Sequence, residues 1–239
     1  MISQTKLSSI PLRHAGPPLW LPAIIFTVLF NAGLYPVTMF GGAPYFPGPW
    51  ETADVMAIFF QLRYPAAMLC AFFQFGSAIS LGIFTVSAVS QLRFVGVRAV
   101  GSYIALFGGL MTAINISASA CIMWAMAHPG LATNPSMVQL MYYVQYAFGG
   151  PGFSVPMGLL IAGICVPAAI LKLLPKWLIV FGMILAVMGE LSWFNLISPK
   201  ALFLIPLTRF PGFIWMIIVG FKLPIRKKPN LDATIVPIA

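Results

Sequence analysis

Charge is scarce in this chain of 239 residues: Asp and Glu number 4, Lys and Arg 13, and together they are only 7% of it. A soluble domain carries about 25% charged residues, so a water-exposed surface cannot be covered here. With 60% hydrophobic residues, the side chains must face an apolar medium, and a lipid bilayer fits. The two histidines, His14 and His128, fall on opposite sides of the apolar runs. They exclude a bis-histidine haem, and four acidic residues do not supply a di-metal or H-E-x-x-H site. Lys172, Lys176, Lys200 and Lys222 all lie at the ends of apolar runs, which excludes a retinal Schiff base. There is no G-x-S-x-G and no P-loop. Neither enzyme chemistry nor a cofactor is expected. The net charge of +9 does not form a basic patch interleaved with aromatics, so nucleic acid is not an expected partner.

Cysteine is also sparse. Cys70, Cys121 and Cys165 stand alone inside apolar runs without a C-x-x-C, so no zinc or dithiol site is signalled. Cys70 and Cys121 both fall toward the outer face, where a disulfide is one option and plain packing the other. A cleavable signal is not expected at the N-terminus: the run Leu19–Phe40 is too long for an h-region, and no A-x-A site follows it.

What is abundant is long apolar runs. Six are visible, at about 19–40, 66–92, 99–127, 153–171, 177–197 and 201–223, and a bilayer core needs about 20 helical residues. The expected fold is therefore all-α: a polytopic membrane helix bundle of six spans in a single domain, 1–228, with a short cytoplasmic tail, 229–239. Two stretches are too long for one span. A helix over Asp54–Gln91 would measure about 57 Å at 1.5 Å per residue. Pro65 breaks it, as Gly149-Gly150-Pro151-Gly152 breaks the run into Leu171. Trp50–Tyr64 and Ser136–Phe148 are thus expected to be short outer interfacial helices. Tyr142, Tyr143 and Tyr146 suit that interface.

Basic residues set the orientation. Lys6, Arg13, Arg93, Arg98, Lys172, Lys176, Lys222, Arg226, Lys227 and Lys228 flank one set of span ends, against Lys200 and Arg63 on the other. Ten against two predicts both termini in the cytoplasm and an even number of spans.

The remaining polar residues are few enough to weigh singly. Glu190 and Arg209 are the only charges deep in spans five and six, which Ser198-Pro199-Lys200 joins tightly. Counted from the span ends, both sit about 10–12 Å below the outer boundary, so the side chains are expected to meet. A buried charge costs several kcal/mol and wants a partner. The pair reads either as a structural clamp or as a charged site for a ligand. Gly182, Ala186 and Glu190 share a small-residue face suited to close packing. Pro206 and Pro211 free carbonyls that the guanidinium could also serve. Span three carries Gly101, Ala105, Gly109, Ala113, Ser117 and Cys121 four apart, a packing stripe for one crossed neighbour or two. Asn115 lies just off it. The run Gly149, Gly150, Pro151, Gly152, Phe153, Ser154, Val155, Pro156 is either a helix break at the outer interface or a re-entrant wall of a cavity. The candidate site is therefore Glu190, Arg209, Asn115, Gly149, Gly150 and Ser154.

Phe148–Pro156 and the stretch Leu204-Ile205-Pro206-Leu207-Thr208-Arg209-Phe210-Pro211-Gly212-Phe213 resemble a group of bacterial six-span membrane proteins of unassigned function. The resemblance covers about the last ninety residues. It implies a bacterial inner-membrane setting and six spans, and brings no activity with it. Two functions are expected on these grounds. One is a non-enzymatic accessory or assembly protein with a membrane-protein partner or a second copy. The other is binding or transport of a small molecule, lipid or ion through the outer half of the bundle.

Overall fold

Residues 13–226 are described by a computed structural model. Lys6, Lys227, Lys228 and the expected tail 229–239 lie outside them. Among the described residues the fold is an all-α bundle, and six helical segments are long and apolar enough to cross a bilayer. The spanning helices are α1 (Trp20–Leu34), α3 (Tyr64–Phe94), α4 (Gly101–Met126), α7 (Pro151–Ile170), α8 (Lys176–Leu191) and α9 (Leu204–Lys222). Between them lie the shorter helices α2 (Ala53–Leu62), α5 (Pro129–Ala132) and α6 (Pro135–Gly149). Short 3₁₀ turns extend α1 to Val37, continue α8 to Leu196 and lead into α9 from Pro199.

Local chemistry sets these boundaries. Thr52 caps α2 by accepting from the Val55 N–H, and Asp54 sits in its first turn, where a negative charge favours the helix start. Asn134 caps α6 in the same way, with Pro135 at its first position. The two long runs break as expected, at Arg63 before Pro65 and at Gly150 before Pro151.

The spans close into a ring in chain order, each packing on the next, and α9 packs back on α1. Small residues set the tightest contacts. A Cβ on Gly163 would come within 2.4 Å of the Ala105 nitrogen, and one on Gly108 within 2.5 Å of the Pro156 carbonyl, so α4 and α7 touch backbone to backbone. Gly109, further round α4, faces Thr85 of α3. The four-residue stripe therefore serves two neighbours and, through its sweep of about 40° per step, ends with Cys121 facing outward. All three cysteines are free.

Two apolar cores result. The main one fills the ring, with Phe26, Phe30, Phe153 and Phe213 in edge-on and tilted contact at its centre. The second lies at the end of the bundle that carries α2, α5 and α6. Met56, Phe59 and Phe60 of α2 pack there with Met123 and Met126 of α4 and Tyr142 of α6. The loop 36–49 is tied down by hydrogen bonds. The Arg63 guanidinium donates to the carbonyls of Pro36, Gly41 and Ala43, and the Tyr142 hydroxyl to Pro47. Arg63 is thus a structural clamp, which accounts for a basic residue on the otherwise poorly basic side.

Candidate functional site

The space between the two cores is not filled. A cavity of about 380 Å³ lies there, walled by α1, α3, α4, α6, α7 and the start of α9. Its walls are apolar for the most part, including Phe30, Ile116, Met123, Phe153 and Ile205, and its polar groups are Gln74, Ser119, Gln145, Tyr146 and Arg209. Thr38, Leu202 and Pro206 form part of its rim. Of these, Pro206 is exposed.

Arg209 is the one charged residue in this wall. Its guanidinium carbon lies 4.6 Å from the centre of the Phe153 ring and 5.3 Å from that of Phe30. Nη2 donates to the Gly149 carbonyl, while Nε is buried with no hydrogen-bond partner. The Gly149 acceptor follows from the helix break. The last carbonyls of α6 have no intrahelical donors, Pro151 has no N–H to offer, and the C-terminal end of a helix attracts a cation. Two ring faces and a helix end therefore hold the cation, and part of its donor fork is left free.

The amides and hydroxyls are aligned by neighbours. Gln145 Nε2 donates to Ser119 Oγ at 3.0 Å, and Gln74 Nε2 to the Phe30 carbonyl at 3.3 Å. The Tyr146 hydroxyl and the Asn195 amide are hydrogen-bonded, tying α6 to the turn after α8. Gly149 lets α6 approach α4, since a Cβ there would meet Ser119 Oγ at 2.6 Å.

Of the residues expected at the site, Arg209, Gly149 and Gly150 line the cavity, and Asn115, Ser154 and Glu190 do not. Asn115 donates to the Gly152 carbonyl and fastens α4 to the start of α7. Ser154 is wholly buried, with no partner for its hydroxyl.

The expected meeting of Glu190 with Arg209 does not occur. Glu190 Oε1 has no hydrogen-bond partner, and no ion pair joins the two. The face Gly182, Ala186, Glu190 does pack closely: Gly182 meets both Cys165 of α7 and Trp215 of α9, while Ala186 and Glu190 lie against α7. A Cβ on Gly158 would lie 2.8 Å from the Ala186 carbonyl and 3.1 Å from Glu190 Oε1. On α9 it is the buried Thr208 that faces Gly189 of α8. Arg209, the next residue, is turned about 100° away. Equal depth placed the charges side by side on paper; helix rotation separates them. Glu190→Gln is accordingly expected to leave the thermal stability of the detergent-solubilised protein unchanged or raised. Loss of one partner of a buried ion pair would lower it by about 3–5 kcal/mol, and a drop of that size would reinstate the pair.

The sequence reading passed over Gln74, Ser119, Gln145 and Phe30. The available signal was the presence of glutamines in otherwise apolar helices. Comparison of the chain with protein-family models, with curated proteins and with solved structures finds no match.

Proposed function

We propose that this protein binds an amphipathic anion, a lipid or a small molecule with one acidic group and an apolar body, in the cavity between its two cores. The observation that carries this reading is Arg209, which lines the cavity with no carboxylate among the other lining residues. A cation at membrane depth is costly; the Gly149 carbonyl and the two rings offset part of that cost, and an anionic ligand offsets the rest. The guanidinium fork suits a carboxylate or phosphate, the glutamines and hydroxyls suit the remaining polar atoms, and the aromatic walls suit an acyl chain or ring.

Laurate and dodecanol separate charge recognition from chain burial. Laurate is expected to raise the melting temperature of the purified full chain in maltoside detergent well beyond any effect of dodecanol. Equal shifts would sink the reading.

A bacterial inner-membrane location with both termini cytoplasmic belongs to this proposal, supported by the basic asymmetry and by the resemblance of the last ninety residues. Reporter fusions at the two chain ends are expected to give cytoplasmic signals at both, and a periplasmic signal at either refutes the orientation. The alternative role, an accessory or assembly protein, draws support from an apolar groove of about 570 Å³ along α1, α3 and α4, bordered by the exposed Phe72 and Trp124. Its signature is a stoichiometric partner or a second copy after mild-detergent purification.

A further inference from the structure

At the opposite end of the bundle from the cavity, the turn between α3 and α4 forms a notch of about 250 Å³ lined by Arg93, Val97, Arg98, Ser102 and Tyr103. The turn is held firmly. The Val97 N–H donates to the Leu92 carbonyl, Val97 is buried in the main core, and Gly96 takes the left-handed conformation at φ +103° that the reversal needs. Arg93 and Arg98 therefore stand at two fixed ends of one tight turn. The Arg93 guanidinium sits 5.2 Å over the Tyr103 ring, which orients it along the notch.

Neither arginine has a carboxylate partner among the described residues. The acidic residues there are Glu51 and Asp54, on the far side of the bundle, and Glu190 at the α7–α8 contact. The first turn of α4 adds the positive end of a helix with no acidic residue and no side-chain cap. Two guanidinium groups lining one notch, with no carboxylate beside them among the described residues, suit an external anion, and their forked donors match phosphate oxygens. The volume is that of about eight waters, room for a phosphate group and its immediate hydration. Beside the notch, the exposed Val100, Ile104 and Phe107 run along α4 at helical spacing, an apolar track on which acyl chains can lie. Spanning helices end here, so the notch falls at the membrane surface, where basic pockets recognise lipid headgroups.

We propose that this notch is a binding site for the phosphate group of an anionic phospholipid in the adjoining leaflet. The site is independent of Arg209 and of the ligand proposed for the cavity.

The full chain, reconstituted in nanodiscs of phosphatidylcholine with a minority of phosphatidylglycerol, is released and examined by native mass spectrometry. Wild type is expected to retain phosphatidylglycerol over phosphatidylcholine. Arg93→Gln and Arg98→Gln are each expected to weaken that retention about tenfold, the loss of one charge-assisted contact. Both side chains are exposed, so folding survives either change. Lys176→Gln removes a charge of the same face outside the notch and is expected to retain the lipid as wild type does. Arg98→Lys keeps the charge without the fork and is expected to fall between. Equal retention of the two lipids, or equal loss in Lys176→Gln, would overturn the site in favour of diffuse surface charge. Displacement of phosphatidylglycerol by inorganic phosphate would overturn the lipid as the source and assign the notch to soluble phosphate.

Discussion

Replacing Arg209 with glutamine is expected to weaken binding of an anionic amphiphile such as laurate by about 100-fold or more. Hydrogen bonds to a charged group are each worth about 1.5–3 kcal/mol, and a bidentate contact has two. At 1.4 kcal/mol per factor of ten, their loss exceeds two orders of magnitude. Arg209→Lys retains the charge but not the planar fork, so an intermediate loss is expected. Stability should fall modestly in the glutamine variant, by about 1–3 kcal/mol, because the Gly149 carbonyl loses its donor. Titration of laurate against the detergent-solubilised variants, with unfolding followed in parallel, separates the two effects. If Arg209→Gln binds laurate as wild type does, the guanidinium does not recognise the acid and the functional reading fails.

A change at Gly163 is expected to have the largest effect on folding. A Cβ at this position would lie 2.4 Å from the Ala105 nitrogen and 2.6 Å from the Gly101 carbonyl. These are backbone atoms of the facing helix and cannot rotate aside. Gly163→Ala must part α4 from α7 and is expected to cost about 1–3 kcal/mol, the range for overpacking a tight contact. Gly163→Leu should prevent a monodisperse fold. The control is Gly82 of α3, where nothing lies within 4 Å of an added Cβ. Gly82→Ala is expected to be neutral, or to stabilise by up to about 1 kcal/mol through helix propensity. Thermal unfolding in one detergent checks all three, and an unaffected Gly163→Ala would show that the α4–α7 contact is not tight.

Much of the fold was legible because the bilayer constrains it so strongly. In lipid, each span must satisfy its own backbone hydrogen bonds, so apolar run length translates directly into helices. The spans expected at about 66–92, 99–127 and 153–171 correspond to Tyr64–Phe94, Gly101–Met126 and Pro151–Ile170. The outer helices at Ala53–Leu62 and Pro135–Gly149 were legible because proline and glycine act locally. The span expected at about 19–40 corresponds to Trp20–Val37, in which helix α1 ends at Leu34 and gives way to 3₁₀ turns around Pro36. Apolar composition continues there, although Pro36 cannot donate its share of the helical bonds.

The candidate site was legible only in part. Depth along a span follows from counting residues, and it put Glu190 and Arg209 at one level. Azimuth does not follow from counting. Which way a side chain points about the helix axis depends on which neighbour wins the tightest contact. Gly158 and Gly189 decide that for α8, turning Glu190 onto α7, and Thr208 takes the α8-facing position that would otherwise have admitted Arg209. The sequence by itself thus determined the all-helical class, six apolar spans, their up-and-down order and the two helix breaks, because each rests on short-range chemistry and on solvent. Only the tertiary structure decided that Arg209 faces an open cavity instead of Glu190, that Gln74, Ser119 and Gln145 join it, and that Arg93 and Arg98 converge on one notch. Those relations depend on helix rotation and on volume left unfilled between two cores, and neither is a property of any single segment of chain.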